Sequence, residues 1–152
     1  MLEWMIMPLK RYVDFKGRSR RKEFWSWVLL NFIIYAVLMA VVFGGGGVMS
    51  AAMADPGNPM AVYKAMFAGP GILLAIWGLA VFIPNIAVVV RRLHDRDMSG
   101  WWYLGFFVAA LIPILNIISG IALLVLMCLE GTRGPNRFGP DPKDPTSAEV
   151  FA

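Results

Sequence analysis

This chain is poor in the residues from which enzyme sites and disulfide frameworks are made. Only 16% of its 152 residues are charged, one is a histidine and one a cysteine. A lone cysteine, Cys128, excludes an internal disulfide and a cysteine-based zinc site. A lone histidine, His94, supplies too few nitrogen ligands for a metal centre, which needs three or four converging donors. No cofactor is expected. The apolar residues come in blocks without helical or strand periodicity. A 59% hydrophobic content with so little charge is a membrane composition rather than a soluble one. The basic residues abut apolar blocks and no recognition module is visible, so nucleic acid is not an expected partner.

Three apolar blocks are present. Phe24–Phe43 carries no charge over 20 residues, enough at 1.5 Å rise to cross a hydrocarbon layer of roughly 30 Å. It exceeds the roughly 7–15 apolar residues of a cleavable signal peptide, so an uncleaved anchor is expected. The glycine run 44–47 and "ADPGNP" at 54–59 read as part of an outer loop over 44–68. A second helix is expected over 69–90, kinked near Pro84, followed by a cytoplasmic loop at 91–100. The third block, 101–129, is long for one span and short for two, and Pro113 breaks it into a hairpin. Charge supports the hairpin, because Lys and Arg collect on the cytoplasmic side of short loops. With a hairpin, all 14 of them except Lys64 fall on one side.

The expectation is an all-α integral membrane protein, a small bundle of about four membrane segments comprising two full spans and the hairpin. An interfacial segment over 1–22 precedes them, with Trp4, Tyr12 and Phe15 in the headgroup layer. Residues 1–143 form one membrane domain, with a cytoplasmic tail from 130 to 152. The location expected is a bacterial inner membrane, multi-pass, with both termini cytoplasmic.

Three polar stretches fall on one membrane face in this topology: "FKGRSRRKEFW" at 15–25, "RRLHDRDMSGWW" at 91–102 and "GTRGPNRFGPDP" at 131–142. Their order and spacing resemble the DUF805 family, the YhaH-like bacterial inner-membrane group. The pattern is carried by Gly17, Arg18, Arg20, Glu23 and Trp25, by Arg92, Leu93, His94, Asp95, Gly100 and Trp101, and by Gly131, Gly134, Asn136, Phe138, Gly139, Asp141 and Pro142. It covers roughly residues 10 to 143. The resemblance implies fold and location and carries over no catalytic residue.

The candidate site is the polar cluster Arg18, Arg20, Glu23, Arg92, His94, Asp95, Asn136 and Asp141. Arg92, Asp95, Glu23 and Arg18 or Arg20 can form an ion-pair network tying the first helix to the 91–100 loop, with His94 hydrogen-bonded inside it. Cations outnumber carboxylates there, and arginine forks suit phosphate, so anionic lipid headgroups are the natural ligand, with a protein partner or a second copy as other occupants. Trp25, Trp101 and Trp102 are interface anchors, and Ser99 is a helix cap. The favoured function is a non-enzymatic scaffold or accessory role. A small oligomeric channel, transporter or lipid-moving protein is second and predicts Asn31, Asn85 and Asn116 around a common cavity. A membrane enzyme acting on a headgroup is third and predicts His94 and Asp95 acting together in a concave pocket.

Overall fold

The computed structural model describes residues 2–67 and 71–144. The start of the second block at 69–70 and the tail beyond 144 lie outside the described residues. Among the described residues there are seven helices: α1 (Leu2–Lys10), α2 (Arg21–Gly44), α3 (Gly47–Ala54), α4 (Pro59–Phe67), α5 (Ile72–Asp95), α6 (Trp101–Ala110) and α7 (Pro113–Cys128). The described residues contain no strand, only an isolated bridge between Asn136 and Gly139.

Both α2 and α5 have 24 residues, a length of about 36 Å. They are long and apolar enough to cross a membrane, and only 11% of the apolar window of α2 and 22% of that of α5 is buried. A core helix of a water-soluble protein would hide most of such a stretch. The block at 101–129 is broken as the proline predicted, with Pro113 in the first turn of α7, where its missing N–H costs nothing. The α6 and α7 helices pack together as a hairpin, and the Asn116 side-chain amide donates to the Ala110 carbonyl across the break, at 2.8 Å.

Two expectations about loops are corrected. The segment 44–68 holds α3 and α4, packed on each other, because Ala and Met dominate "GVMSAAMA" and "MAVYKAMF" and both are strong helix formers. Only the ends are loop-like. Gly46 takes the left-handed conformation before α3 (φ 72°), and the Asn58 side chain accepts from the N–H groups of Met60 and Ala61 at the start of α4, with Pro59 as first helical residue. The stretch 91–100 is likewise not a loop throughout: α5 continues through Pro84 and "RRLHD" to Asp95. Cations in a last helical turn face the negative end of the macrodipole. The helix then stops in a Schellman turn, with Met98 N–H on the Leu93 carbonyl, Asp97 N–H on the His94 carbonyl, and Asp97 left-handed at φ 57°.

The chain divides into two compact units, one of residues up to Trp27 and from Ile83 onward, the other Val28–Phe82. In each, a tryptophan of one long helix meets an asparagine of the other. Trp27 Nε1–H donates to Asn85 Oδ1 at 2.6 Å in the first unit, and Trp77 Nε1–H donates to Asn31 Oδ1 at 3.2 Å in the second. These bonds leave Asn31 and Asn85 as interhelical ties. In the second unit Gly78 lies against Tyr35, where a Cβ would sit 3.6 Å from the hydroxyl. Asn85→Leu should lower the thermal midpoint, and a double-mutant cycle with Trp27→Phe should yield a coupling of roughly 0.5–2 kcal/mol. A coupling indistinguishable from zero would show that the pair ties nothing.

Candidate functional site

All the candidate site residues belong to the unit that contains both α1 and the α6–α7 hairpin. Here the usual distribution of polarity is reversed. Arg91 and Arg92 are 0% exposed, Glu23 2%, Arg18 3% and Asp95 4%, whereas Trp101 is 78% exposed and Leu104, Phe107, Ile114 and Ile117 are also exposed.

Helical geometry sends the two adjacent arginines of α5 in different directions, since neighbours on a helix point about 100° apart. Arg92 turns towards the end of α7, where it pairs with Asp95 and donates to the carbonyls of Met127 (3.4 Å) and Leu129. Arg91 turns towards the start of α2, pairing with Glu23 at 3.0 Å and donating to the carbonyls of Arg11 (3.3 Å) and Asp14. Arg18 comes from the arm before α2. It donates to Asp95 Oδ1 at 3.0 Å, to the Gly134 carbonyl at 2.6 Å and to the Thr132 carbonyl. Asp95 is therefore shared by two arginines, and each buried guanidinium has one carboxylate and two backbone carbonyls.

Two of those carbonyls, Met127 and Leu129, belong to the C-terminal end of α7, where a helix leaves its carbonyls unsatisfied; the others lie in the segments flanking the helices. The last carbonyls of α5 are also covered: Arg91 C=O accepts the Ser19 N–H (3.1 Å), His94 C=O the Asn136 side-chain amide (2.9 Å), and Asp95 C=O the Thr132 N–H (2.8 Å). The end of α7 and the residues just after it are held by Arg92, by Arg21 on the Cys128 carbonyl (3.2 Å) and by Arg96 on the Glu130 carbonyl. Cations at helix C-termini also favour the macrodipole.

The tail after α7 is folded onto this cluster. Gly131 passes so close that an added Cβ would lie 2.0 Å from Asp95 Oδ2, a close approach open only to glycine. Asn136 closes the bend, its Oδ1 accepting the Phe138 N–H at 2.9 Å. Asp141 accepts the N–H groups of Gly134 and Lys143, both at 2.9 Å. The Lys143 N–H foremost, then the Gly134 N–H and the nearby Arg18, hold the Asp141 carboxyl below its ordinary 3.8. The His94 ring stacks on Phe138, with centroids 4.0 Å apart and planes 4° from parallel, and its Nδ1 lies 3.2 Å from the Gly17 carbonyl. A carbonyl can only accept, so Nδ1 carries the proton of that bond. Gly17 reaches this place with φ 75°, a left-handed conformation suited to glycine.

Most predicted residues thus come together, with changed pairings. Glu23 pairs with Arg91, not Arg92. Arg20 does not take part in the ion pairs with Glu23 or Asp95; its guanidinium lies over the Trp4 ring, 5.7 Å from the centroid. His94 contacts Gly17 and Phe138, while the Asp95 carboxylate faces arginines, so the two do not form a dyad. Trp25, Trp101 and Trp102 are exposed. Gly100 rather than Ser99 is the cap residue of α6, although the Ser99 hydroxyl lies 3.4 Å from the Trp101 N–H. Sequence reasoning missed Arg91, Gly131 and Phe138 as partners. Continuing the helical period through 91–95 would have placed Arg91 and Arg92 about 100° apart and so facing different neighbours, though not the Glu23 partner of Arg91.

Chemically, the cluster is closed. The space beside Arg18 and Asp95 is about 20 Å³, room for about one water molecule. Among the described residues, no three His, Cys, Asp or Glu side chains are grouped to hold a metal ion.

Comparison with known proteins places the chain among membrane proteins. The model of a family described as protein of unknown function (DUF805) matches residues 12–140. The inner membrane protein YhaH of Escherichia coli K12 is 42% identical over 142 residues, covering 93% of this chain and 98% of the relative. The inner membrane protein YhaI of the same organism is 37% identical over 142 residues, covering 93% and 97%. No solved structure matches the chain.

Asp95→Asn should destabilise the folded protein by about 3–5 kcal/mol, because two buried guanidinium groups lose their counter-charge. Gly131→Ala should act nearly as strongly through the displaced carboxylate, whereas Glu130→Gln, at an exposed pair, should leave the unfolding midpoint unchanged. Equal midpoints for all three would remove the cluster from the energetics of the fold. Acid sensitivity follows from Asp141. A carboxyl depressed in the folded state contributes stability that is present above its unfolded value of 3.8 and is lost as pH falls through the lower folded value. Asp141→Asn should therefore flatten the fall of the thermal midpoint with pH in that acid range, and a fall as steep as in the native chain would refute the assignment.

Proposed function

This chain belongs to the DUF805 family, and from that premise we propose a multi-pass bacterial inner-membrane protein with a non-catalytic scaffold or accessory role, whose charged cytoplasmic face contacts anionic lipid headgroups. The observation that carries this reading is the division of labour among the cations. Arg18, Arg91 and Arg92 are buried and engaged by carboxylates and carbonyls. They tie chain segments together and are buried out of reach of a headgroup. Around them, Lys16, Lys22, Arg133, Arg137 and Lys143 are exposed. Each exposed cation near an anionic surface contributes about 1 kcal/mol of attraction.

The family relatives are named inner membrane proteins, and the location is carried over to this chain from them. The orientation rests on charge: with α6 and α7 as a hairpin, the Lys and Arg residues other than Lys64 share one side, and the cytoplasmic side is the one that attracts them. The α6 and α7 helices, about 15 and 24 Å long by their 10 and 16 residues, form a hairpin that enters the layer incompletely. Neither an enzyme nor a channel is favoured. Asp95 and His94 are committed to separate partners, and Asn31, Asn85 and Asn116 are committed to Trp77, Trp27 and the Ala110 carbonyl.

Lipid selectivity tests the proposal. In mixed vesicles the native chain should enrich phosphatidylglycerol over phosphatidylcholine, less so at high salt. The combined substitution Lys16→Gln, Lys22→Gln and Arg133→Gln should reduce that preference by about a hundredfold, from about 1 kcal/mol per charge. Unchanged enrichment would end the lipid-contact reading. Reporter fusions should place both termini in the cytoplasm and residues 55–58 outside it, and the opposite pattern would overturn the orientation.

A further inference from the structure

A larger cavity lies away from the closed ion-pair cluster. The α1 helix and Arg20 border an open cleft of about 340 Å³, lined by Glu3, Trp4, Met7, Lys10 and Arg20. That volume is at the small end of the range for small-molecule sites, roughly 300–1,000 Å³. Glu3, Met7 and Lys10 fall at i, i+4 and i+7 of α1, so helical spacing places them along one stripe. The guanidinium of Arg20 lies over the Trp4 ring, 5.7 Å from its centroid, and a guanidinium fork suits the geometry of phosphate.

The cleft differs from the exposed cations around the cluster in holding both signs of charge. Lys10 and Arg20 suit a phosphate, while Glu3 and the Trp4 ring suit a cation. A lipid whose phosphate carries a primary amine satisfies both halves, whereas a headgroup with no cation leaves Glu3 without a partner. The setting also favours a lipid over a soluble phosphate: Leu2 and Ile6 of α1, and Val13 and Phe15 just beyond it, are exposed apolar side chains of the same N-terminal segment. We infer that the cleft bordered by α1 is a headgroup site for an aminophospholipid, with Lys10 and Arg20 on the phosphate and Glu3 on the ammonium. This deepens the lipid-contact proposal and depends on it only for α1 lying at the membrane surface.

Native mass spectrometry of the full chain in mild detergent, titrated separately with phosphatidylethanolamine and phosphatidylglycerol, tests the site. The native chain should retain one phosphatidylethanolamine in preference to phosphatidylglycerol. Arg20→Gln should weaken its retention about tenfold, the loss of a charge-assisted bond to phosphate. Glu3→Gln should abolish the preference for the amine headgroup while lipid is still retained. The Lys16, Lys22, Arg133 triple variant should lose phosphatidylglycerol enrichment yet keep phosphatidylethanolamine, which separates the fate of this site from that of the broader proposal. Unaltered retention in Arg20→Gln together with an unaltered headgroup preference in Glu3→Gln, with folding verified by thermal midpoint, would overturn the assignment. Equally tight binding of soluble glycerophosphoethanolamine would overturn the lipid as its ligand.

Discussion

Three guanidinium groups buried with only two carboxylates set the condition that the rest of the structure meets. An uncompensated buried charge is among the most destabilising features a protein can contain. Here the deficit is made up by backbone. Arg18, Arg91 and Arg92 each take carbonyl oxygens in addition to a carboxylate, and those taken by Arg92, with the Cys128 carbonyl taken by Arg21, would otherwise be the unsatisfied end of α7. The cations need acceptors and the helix ends need donors, so each requirement meets the other.

The same arrangement explains why so apolar a chain keeps its charge in a few stretches. Within a hydrocarbon layer, helices lack a hydrophobic force to press them together, since lipid tails are as apolar as leucine. Strong contacts are then best placed at the polar ends, where arginines can be buried among protein groups close to water. Along the apolar lengths, isolated polar ties suffice, and Trp27 with Asn85 and Trp77 with Asn31 provide them. The exposed apolar side chains of α2, α5, α6 and α7 are the complement of this design, the surface that lipid would cover.

The sequence was most legible where a physical constraint acts on single residues. Uncharged runs gave the long helices, and Pro113 gave the hairpin break. The candidate cluster was also legible in outline, because charged residues between apolar blocks have few places to go. Its pairings were not. Arg91 and Arg92 are indistinguishable by composition, and their separate partners depend on α5 continuing past its apolar stretch, which "RRLHD" disguises as loop. Gly131 reads as a turn residue, yet its role is to let backbone pass Asp95, a tertiary fact. The helices α3 and α4 were hidden by the Gly and Pro residues that flank them, although alanine and methionine content favoured helix within them.

The partners of Arg18 have a consequence for the order of events in synthesis. Its acceptors on Thr132 and Gly134 lie 114 and 116 residues further along the chain, so the arm before the first long helix cannot reach its final place until residues 132–134 have been made. Contacts of such separation form late, since the intervening loop must first be closed. Until then Arg18 and Asp95 await the segment that completes their surroundings. The tail after the last helix is therefore a closing strap, and a chain arrested before residue 131 would carry its helices into the bilayer with the clasp still open.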